Sequence, residues 1–465
     1  MNLEFFHHGN ESNDDAAPGQ NFTRDLTENL LKKMVERHAV IGVIGLGYVG
    51  LPFALSSAKA GFRTIGIDTN NVRVDALRSG RSFLSHIETS TVAAVRKKLQ
   101  VYGDYASLRL ADVIVICVPT PITTNCTPDL SAVEEAADAL GGQLRRGQLV
   151  ILTSTSFPGT TEKIVGTILE KRSGLKVGRD FLLAFSPERE DPGNSRFTAQ
   201  QVPRVVGGAD EVSVNAAEAL FNSLGVPTVR VSSTQTAEAV KLLENTFRAV
   251  NIAFVNELKT VFGRMDIDIW EVIAAAQTKP FGYMPFFPGP GVGGHCIAAD
   301  PYYLIWRARE FHVSTRLTEM ACDINRLMPE FVINGLIRAL DTRLNRGLSG
   351  AQILIVGVAY KRNVDDVRDS PALRIMQLLE ERGAVASFQD PLVPVLPSYD
   401  EYQELAGRAA VVASDLDYAT YDSIVIVTDH DTIDYIKMEQ NSPLLIDTRN
   451  AFERRGISTR KVVKL

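Results

Sequence analysis

Cysteine is scarce: only Cys117, Cys126, Cys296 and Cys322 occur in 465 residues, and no two of them stand in a CxxC spacing. That scarcity argues against a disulfide framework or a cysteine-based zinc site, so no metal is expected and a reducing, cytoplasmic setting is. No apolar stretch reaches the roughly 18 uninterrupted residues that a membrane span requires. Long basic runs are missing too, and the formal net charge is -6, which leaves little to hold a nucleic-acid backbone. The start of the chain lacks the charged residues and apolar stretch of a secretory signal. Neither nucleic acid nor a membrane is therefore an expected partner.

Apolar residues, by contrast, make up 45% of the chain and charged ones 22%, the balance of a globular protein with ample material for cores. A chain of this length exceeds a single core, so two or three domains are expected. Residues 1–38 read as an extension, polar and disordered around 11–20, with a short amphipathic helix over 23–37 and a solvated pair in His7 and His8. From Ala39 onward, apolar runs such as AVIGVIGLG, FRTIGID, DVIVICVPTP, QLVILTSTS and DFLLAFSPE alternate with helical segments. That alternation implies an α/β fold with a parallel sheet covered on both faces. After Gly208 strand signals fade, and helices are predicted over residues 234–264 and 314–340, the second kinked or broken at Pro329. Between them lies KPFGYMPFFPGPGVGGHC, too rich in Pro and Gly for helix. A second strand–helix alternation begins at AQILIVGVAY, so two parallel-sheet α/β domains flank a helical middle.

Several positions carry chemistry. GLGYVG, from Gly45 through Leu46, Gly47, Tyr48 and Val49 to Gly50, closes the first strand and opens a helix. Gly45 permits the turn, Gly47 lets a pyrophosphate approach the backbone, and Gly50 lets helix and strand pack closely. Asp68, ending the next strand, would accept from an adenosine ribose and repel a 2′-phosphate, favouring NAD over NADP, although Arg73 nearby pulls the other way. An ordinary tight turn is the bland alternative. Cys296 follows Gly293 and Gly294, where a substrate can come close to the chain; a buried structural cysteine is the alternative there. Cys117, inside VIVICV, reads as core. Lys241 and Asn245 are four apart and share a helix face, which would equally suit a solvated stripe. Ser154, Thr155, Glu188 and Glu190 follow strand ends, where parallel sheets face their ligands; for Glu190 and Asp191 a solvated loop is the simpler reading.

Taken together, GLGYVGLP, VPTP, SPEREDPGN, KLLENTFR, GPGVGGHCIAADPYYL and AYKRNVDDVRDSPAL resemble, in order, the nucleotide-sugar 6-dehydrogenase family, the UDP-glucose and GDP-mannose dehydrogenases. The wording of PFGYMPFFPGPG is most like the bacterial branch acting on UDP-N-acetylglucosamine. The resemblance implies an NAD-binding Rossmann domain over 39–211, a central helical dimerisation region over 212–340 with the cysteine loop, and a Rossmann-like UDP-sugar domain over 341–465. It implies NAD as cofactor, a UDP-sugar as substrate, and a homodimer or larger homo-oligomer. By motif match, Cys296 takes the nucleophile's position, and Lys241, Asn245 and Asp300 surround the reacting carbon. Glu188 and Thr155 handle the hydrolytic water, with Arg189 and Gly293 on the substrate side. Pro119 and Thr120 form the nicotinamide-side turn and Arg368 lies near the cofactor. Tyr360, Lys361 and Arg449 hold the nucleotide sugar. Two positions depart from the family pattern: KRN at 361–363 replaces the commoner Lys-Lys-Asp, and Thr153 stands where an acid is frequent.

Such a chain would oxidise a C6 alcohol to a carboxylate in two steps, with Cys296 carrying the aldehyde as a thiohemiacetal and then a thioester. His295, beside it, is a weaker candidate for its base, since adjacent loop side chains point apart. The competing readings are a one-step β-hydroxyacid dehydrogenase, which has no use for the region after Leu348, and a non-catalytic NAD-binding protein, which has none for Cys296, Lys241 and Asn245 together.

Overall fold

A computed structural model describes residues 18–84, 86–189 and 201–465. The expectations for residues 11–17, for His7 and His8, and for Glu190 and Asp191 lie outside the described residues.

The first unit is an eight-stranded sheet built from β1 (Val40–Ile44), β2 (Arg63–Ile67), β3 (Leu99–Tyr102), β4 (Val113–Ile116), β5 (Leu149–Leu152), β6 (Leu182–Phe185), β7 (Arg204–Gly208) and β8 (Thr228–Arg230). Their order is β3-β2-β1-β4-β5-β6-β7-β8. All neighbours run parallel except β6 and β7, which pair antiparallel. Every residue of β4 and β5 is buried, because helices cover both faces. The helices are α1 (Pro18–Val35), α2 (Gly50–Lys59), α3 (Asn71–Arg78), α4 (Thr89–Ala94), α5 (Ser131–Gly141), α6 (Thr167–Ser173) and α7 (Glu211–Ser223). The strand order reverses between β1 and β4, opening a crevice at their carboxyl ends. This unit runs on to Arg230, past the boundary expected at residue 211: β8 has only three residues, two of them exposed, too few for an apolar signal.

The middle of the chain is helical. α8 (Thr234–Arg264) occupies the span foreseen for it, started by Ser233, whose side chain accepts from the Thr236 amide. α9 (Ile269–Ala276), α10 (His295–Glu310) and α11 (Arg316–Leu344) follow. Cys296 was expected in a loop; it lies in the first turn of α10, since Gly294, at φ 79°, turns the chain directly into a helix that tolerates Pro301. α11 likewise runs through Pro329 without the break that was one expectation there. The flanking Met328, Val332 and Ile333 are buried, so packing offsets the hydrogen bond that proline removes.

α11 continues into the last unit, where its Val332, Ile333, Leu336 and Leu340 join the core. That unit holds β9 (Gln352–Val356), β10 (Val385–Gln389), β11 (Ser423–Ile426), β12 (Leu445–Asp447) and β13 (Val462–Lys464), all parallel in the order β10-β9-β11-β12-β13. α12 (Pro371–Glu381) and α13 (Tyr435–Asn441) accompany it. The architecture is thus α/β, two parallel-sheet domains joined by long helices. Among the described residues no helix is long and apolar enough to cross a membrane.

Candidate active site

The glycine turn sits at the switch point. Gly45 has φ +85°, and a Cβ there would lie 2.6 Å from the Cys117 carbonyl; one on Gly50 would lie 1.8 Å from the Gly45 carbonyl. Both are glycine because the chain leaves no room. Gly47 differs, since nothing lies within 4 Å of where its Cβ would be. The protein's own packing does not require glycine there, whereas a dinucleotide pyrophosphate drawn onto the turn does. Asp68 is buried and fastens the turn from the neighbouring strand: its Oδ2 accepts from the Leu46 amide at 2.9 Å and its Oδ1 from the Asn70 amide at 2.9 Å. Arg73 stands 3.5 Å from the same carboxylate and over the Phe83 ring. These residues fit an adenosine ribose and pyrophosphate.

Tyr48 of the turn is sandwiched. His86 stacks on one side at 5.7 Å, and the Arg368 guanidinium lies 4.6 Å from the ring centroid. Arg368, held by Asp366 at 2.6 Å, comes from the last domain and is brought beside Tyr48 of the turn. Asp366 as its clamp was missed.

The second cluster forms where α8 faces α10. Lys241, Asn245 and Asp300 are 7%, 5% and 1% exposed, so the face shared by Lys241 and Asn245 is not a solvated stripe. The Asn245 amide donates to Asp300 Oδ2, and Lys241 Nζ donates to the Glu188 carbonyl at 2.6 Å. Burial pushes the Asp300 carboxyl up to about 7, against the pull of the Lys241 charge and the Asn245 amide. Asp300 lies four residues after Cys296 on α10, hence on the same side of that helix. One turn further, the Tyr303 hydroxyl donates to the Thr120 carbonyl at 3.0 Å, tying α10 to the turn that holds Pro119 and the buried Thr120.

Glu188, just past β6, pairs with Arg204 of β7 and accepts from the Arg189 amide at 2.8 Å. Arg204, whose guanidinium also lies over Phe221, was missed; no sequence period connects it to Glu188. Arg189 is engaged by Glu244 at 2.6 Å and by the Pro203 carbonyl at 2.7 Å. Thr155 is half-buried on the loop after β5. That loop is fixed by Glu238, a fully buried α8 residue that sequence reading passed over. Its Oε2 accepts from the Gly159 amide, and its Oε1 from the Thr161 amide and hydroxyl, at 2.6, 2.8 and 2.7 Å. Burial pushes Glu238 up to about 7 despite these bonds.

The last domain meets the entrance to α10. A Cβ on Gly293 would lie 2.9 Å from Cβ of Tyr360, and one on Gly294 2.8 Å from its ring. The Gly294 amide donates to the Arg368 carbonyl at 3.0 Å. Arg449 bonds the Val427 carbonyl at 2.8 Å, and a Cβ on Gly289 would lie 2.5 Å from its guanidinium. Burial holds that guanidinium below its ordinary value, an unfavourable setting for a cation that an anionic ligand would relieve. Lys361 is half-buried beside Tyr360. Burial pushes the Cys117 thiol up to about 12, the state of an inert core cysteine. Among the described residues no group of three or more His, Cys, Asp or Glu side chains could hold a metal ion.

The same three-part division appears in comparisons with known proteins. Residues 39–225 match the NAD binding domain of the UDP-glucose/GDP-mannose dehydrogenase family, residues 235–327 its central domain, and residues 354–454 its UDP binding domain. A UDP-N-acetyl-D-glucosamine 6-dehydrogenase of Pseudomonas aeruginosa is 34% identical over 84% of this chain and 90% of its own length. An NDP-N-acetyl-D-galactosaminuronic acid dehydrogenase of Ralstonia nicotianae is 32% identical over 90% of this chain and 97% of its own. The solved structure of the UDP-D-ManNAc dehydrogenase of Pyrococcus horikoshii superposes with a TM-score of 0.78 at 34% identity, over 89% of this chain and 96% of that one.

Proposed function

Because the chain belongs to the UDP-glucose/GDP-mannose dehydrogenase family, NAD-dependent oxidoreductases acting on nucleotide sugars, we propose that it oxidises the C6 alcohol of UDP-N-acetylglucosamine to the carboxylate in two steps. The observation that carries this reading is the buried Asn245–Asp300 bond, which sets the helix bearing Cys296 against the face of α8 bearing Lys241. The wording of PFGYMPFFPGPG and SPEREDPGN is what favours UDP-N-acetylglucosamine, since relatives named for UDP-N-acetylglucosamine and for UDP-N-acetylmannosamine are similar to the chain to the same degree.

Gly45 to Gly50, Asp68, Thr120 and Arg368 would hold NAD, which supplies the acceptor for the two hydrides that leave C6. Cys296 lies in the first turn of α10, where the helix dipole favours an anion. As thiolate it adds to the C6 aldehyde, keeping the sugar attached between the two oxidations, and the thioester formed in the second consumes one water. Lys241 and Asn245 donate to the oxyanions, each such donor being worth about 10²–10³ in rate. Glu188, paired with Arg204, activates the water with Thr155. Arg449, Lys361 and Tyr360 hold the UDP moiety. Dependence on a free thiol suits a reducing compartment, so we place the protein in the cytoplasm. The apolar outer face of α8 supports assembly into a homodimer or larger homo-oligomer.

A panel of UDP- and GDP-sugars assayed for NADH release tests the reading. Two NADH per UDP-N-acetylglucosamine are expected from the wild type. Cys296→Ser should bind cofactor and sugar yet lose at least about 10³-fold in acid formation. One NADH per sugar, or undiminished acid formation by the variant, would refute the covalent route.

A further inference from the structure

We propose that Glu238 is a positioning residue that locks the loop carrying Thr155 to the face of α8 that presents Lys241 and Asn245. This rests on the functional reading above and adds a part to it. Glu238, Lys241 and Asn245 are spaced three and four apart, so they form one stripe on α8, and all three are buried. Lys241 bonds the Glu188 carbonyl and Asn245 the Asp300 carboxylate; Glu238 instead spends its whole carboxylate on one loop. Three donors converge on it, from Gly159 and Thr161.

Those donors stand at the start of an unusual turn. Residues Thr160–Gly166 form a π-helix, entered through Gly159 at φ 103°. A helix start leaves its first amides without partners, and the wide π turn is a local departure from regular helix. Glu238 supplies the acceptor those amides lack. From the other side α10 grips the same loop: the Arg307 guanidinium lies 5.2 Å from the Phe157 ring, and its Nη2 would be 3.1 Å from a Cβ on Gly159. The 153–161 segment is therefore wedged between the helix of Lys241 and Asn245 and the helix of Cys296 and Asp300. A fully buried carboxylate is a costly way merely to fill space, since apolar residues of similar volume are equal or better for stability. What a carboxylate offers here is fixed register, and an error of about 1 Å in such placement can cost about 10²-fold in rate.

Glu238→Gln keeps the volume but replaces one acceptor oxygen by an NH2 group facing amide donors. Its expected kcat is about 10- to 100-fold below wild type, with KM for NAD and for UDP-N-acetylglucosamine within about twofold. Because Thr155 serves the hydrolytic step, rapid mixing should show a burst of two NADH per active site ahead of the slowed steady state. Thr161→Val, which deletes one donor only, should lose about three- to tenfold in kcat. Glu238→Gln that folds and turns over like wild type overturns the proposal. So does a kcat loss that only follows the folded fraction, with the burst shrinking in proportion. Should Glu238→Gln not fold, an undiminished kcat in Thr161→Val overturns it instead. A wild-type chain that releases no NADH with any nucleotide sugar would fail the functional reading itself, whereas an active wild type with indifferent variants fails this inference alone.

Discussion

Gly47 and Gly50 stand in one turn but answer to different constraints. A methyl group on Gly50 would meet the Gly45 carbonyl at 1.8 Å, and only a shift of backbone could relieve that contact. On Gly47 it would meet no atom of the chain within 4 Å. Gly50→Ala is therefore expected to lower stability by about 2 kcal/mol or more. Gly47→Ala should melt within about 1 °C of wild type while binding NAD at least about tenfold more weakly. Thermal melts with and without NAD separate the two, and an unchanged NAD affinity in Gly47→Ala would count against the pyrophosphate site. At this scale the sequence was legible wherever function resides in a local pattern. The glycine turn, Asp68, and Lys241 with Asn245 are each readable within one helix or one strand–helix unit. Glu238 was not, because its partners lie 77 and 79 residues upstream and no spacing links a helix to a loop it merely touches. Arg204 escaped notice for the same reason.

Among the elements, α1 lies ahead of the family match, which begins at residue 39, yet it is built into the first domain. Leu30 and Met34 are buried in the core shared with Ala217, Leu220, Phe221 and Leu224 of the α7 region. Lys33 pairs with Asp112 at 2.9 Å, where Asp112 also receives the Val40 amide and Arg145. Burial acts to raise the Asp112 carboxyl, but these bonds outweigh it and hold the group below its usual range. Asp112 precedes β4, at the end of the sheet opposite the glycine turn. Met34→Ala should therefore cost about 2–5 kcal/mol of stability and leave kcat and KM unchanged below the melting range. A fall in kcat without a fall in melting temperature would assign α1 a role at the site instead. The helix foreseen over 23–37 lies at Pro18–Val35, so Pro18, Gly19 and Gln20, expected to be disordered, are helical instead; proline's fixed φ suits the first position of a helix. α9 and α10 were hidden by the glycines and prolines of the loop between them, and β3, β8 and β13 are four residues or fewer. Short strands borrow their stability from neighbours, so their own residues announce little.

At the scale of the whole molecule, one side of α8 is left with apolar groups in solvent. Leu243, Phe247 and Phe254 are 68%, 46% and 56% exposed, and their spacing puts them on a single face, opposite the buried Lys241 and Asn245. Leu317, Met320 and Leu327 of α11 are exposed as well, as are Phe281, Met284 and Phe287 of the loop between α9 and α10. Phe286 of that loop stacks edge-on against Phe247, so loop and helix present one continuous surface. Apolar surface of this extent is rare on a monomer, and a long helix with a second apolar face suits an isologous contact with the same helix of another copy. A stable dimer of this kind buries on the order of 1,200–2,000 Å² or more. Phe254→Glu would place a charge on that apolar face and should convert a dimer to monomer in sedimentation experiments at micromolar concentration. The loop passes Gly289, against Arg449, and leads into the first turn of α10, so a monomer would lose the support that holds this loop still. Its kcat should fall by about tenfold or more, and it should recover as protein concentration is raised toward the weakened dissociation constant. A wild-type chain that sediments as a monomer at tens of micromolar would leave the apolar face without this partner.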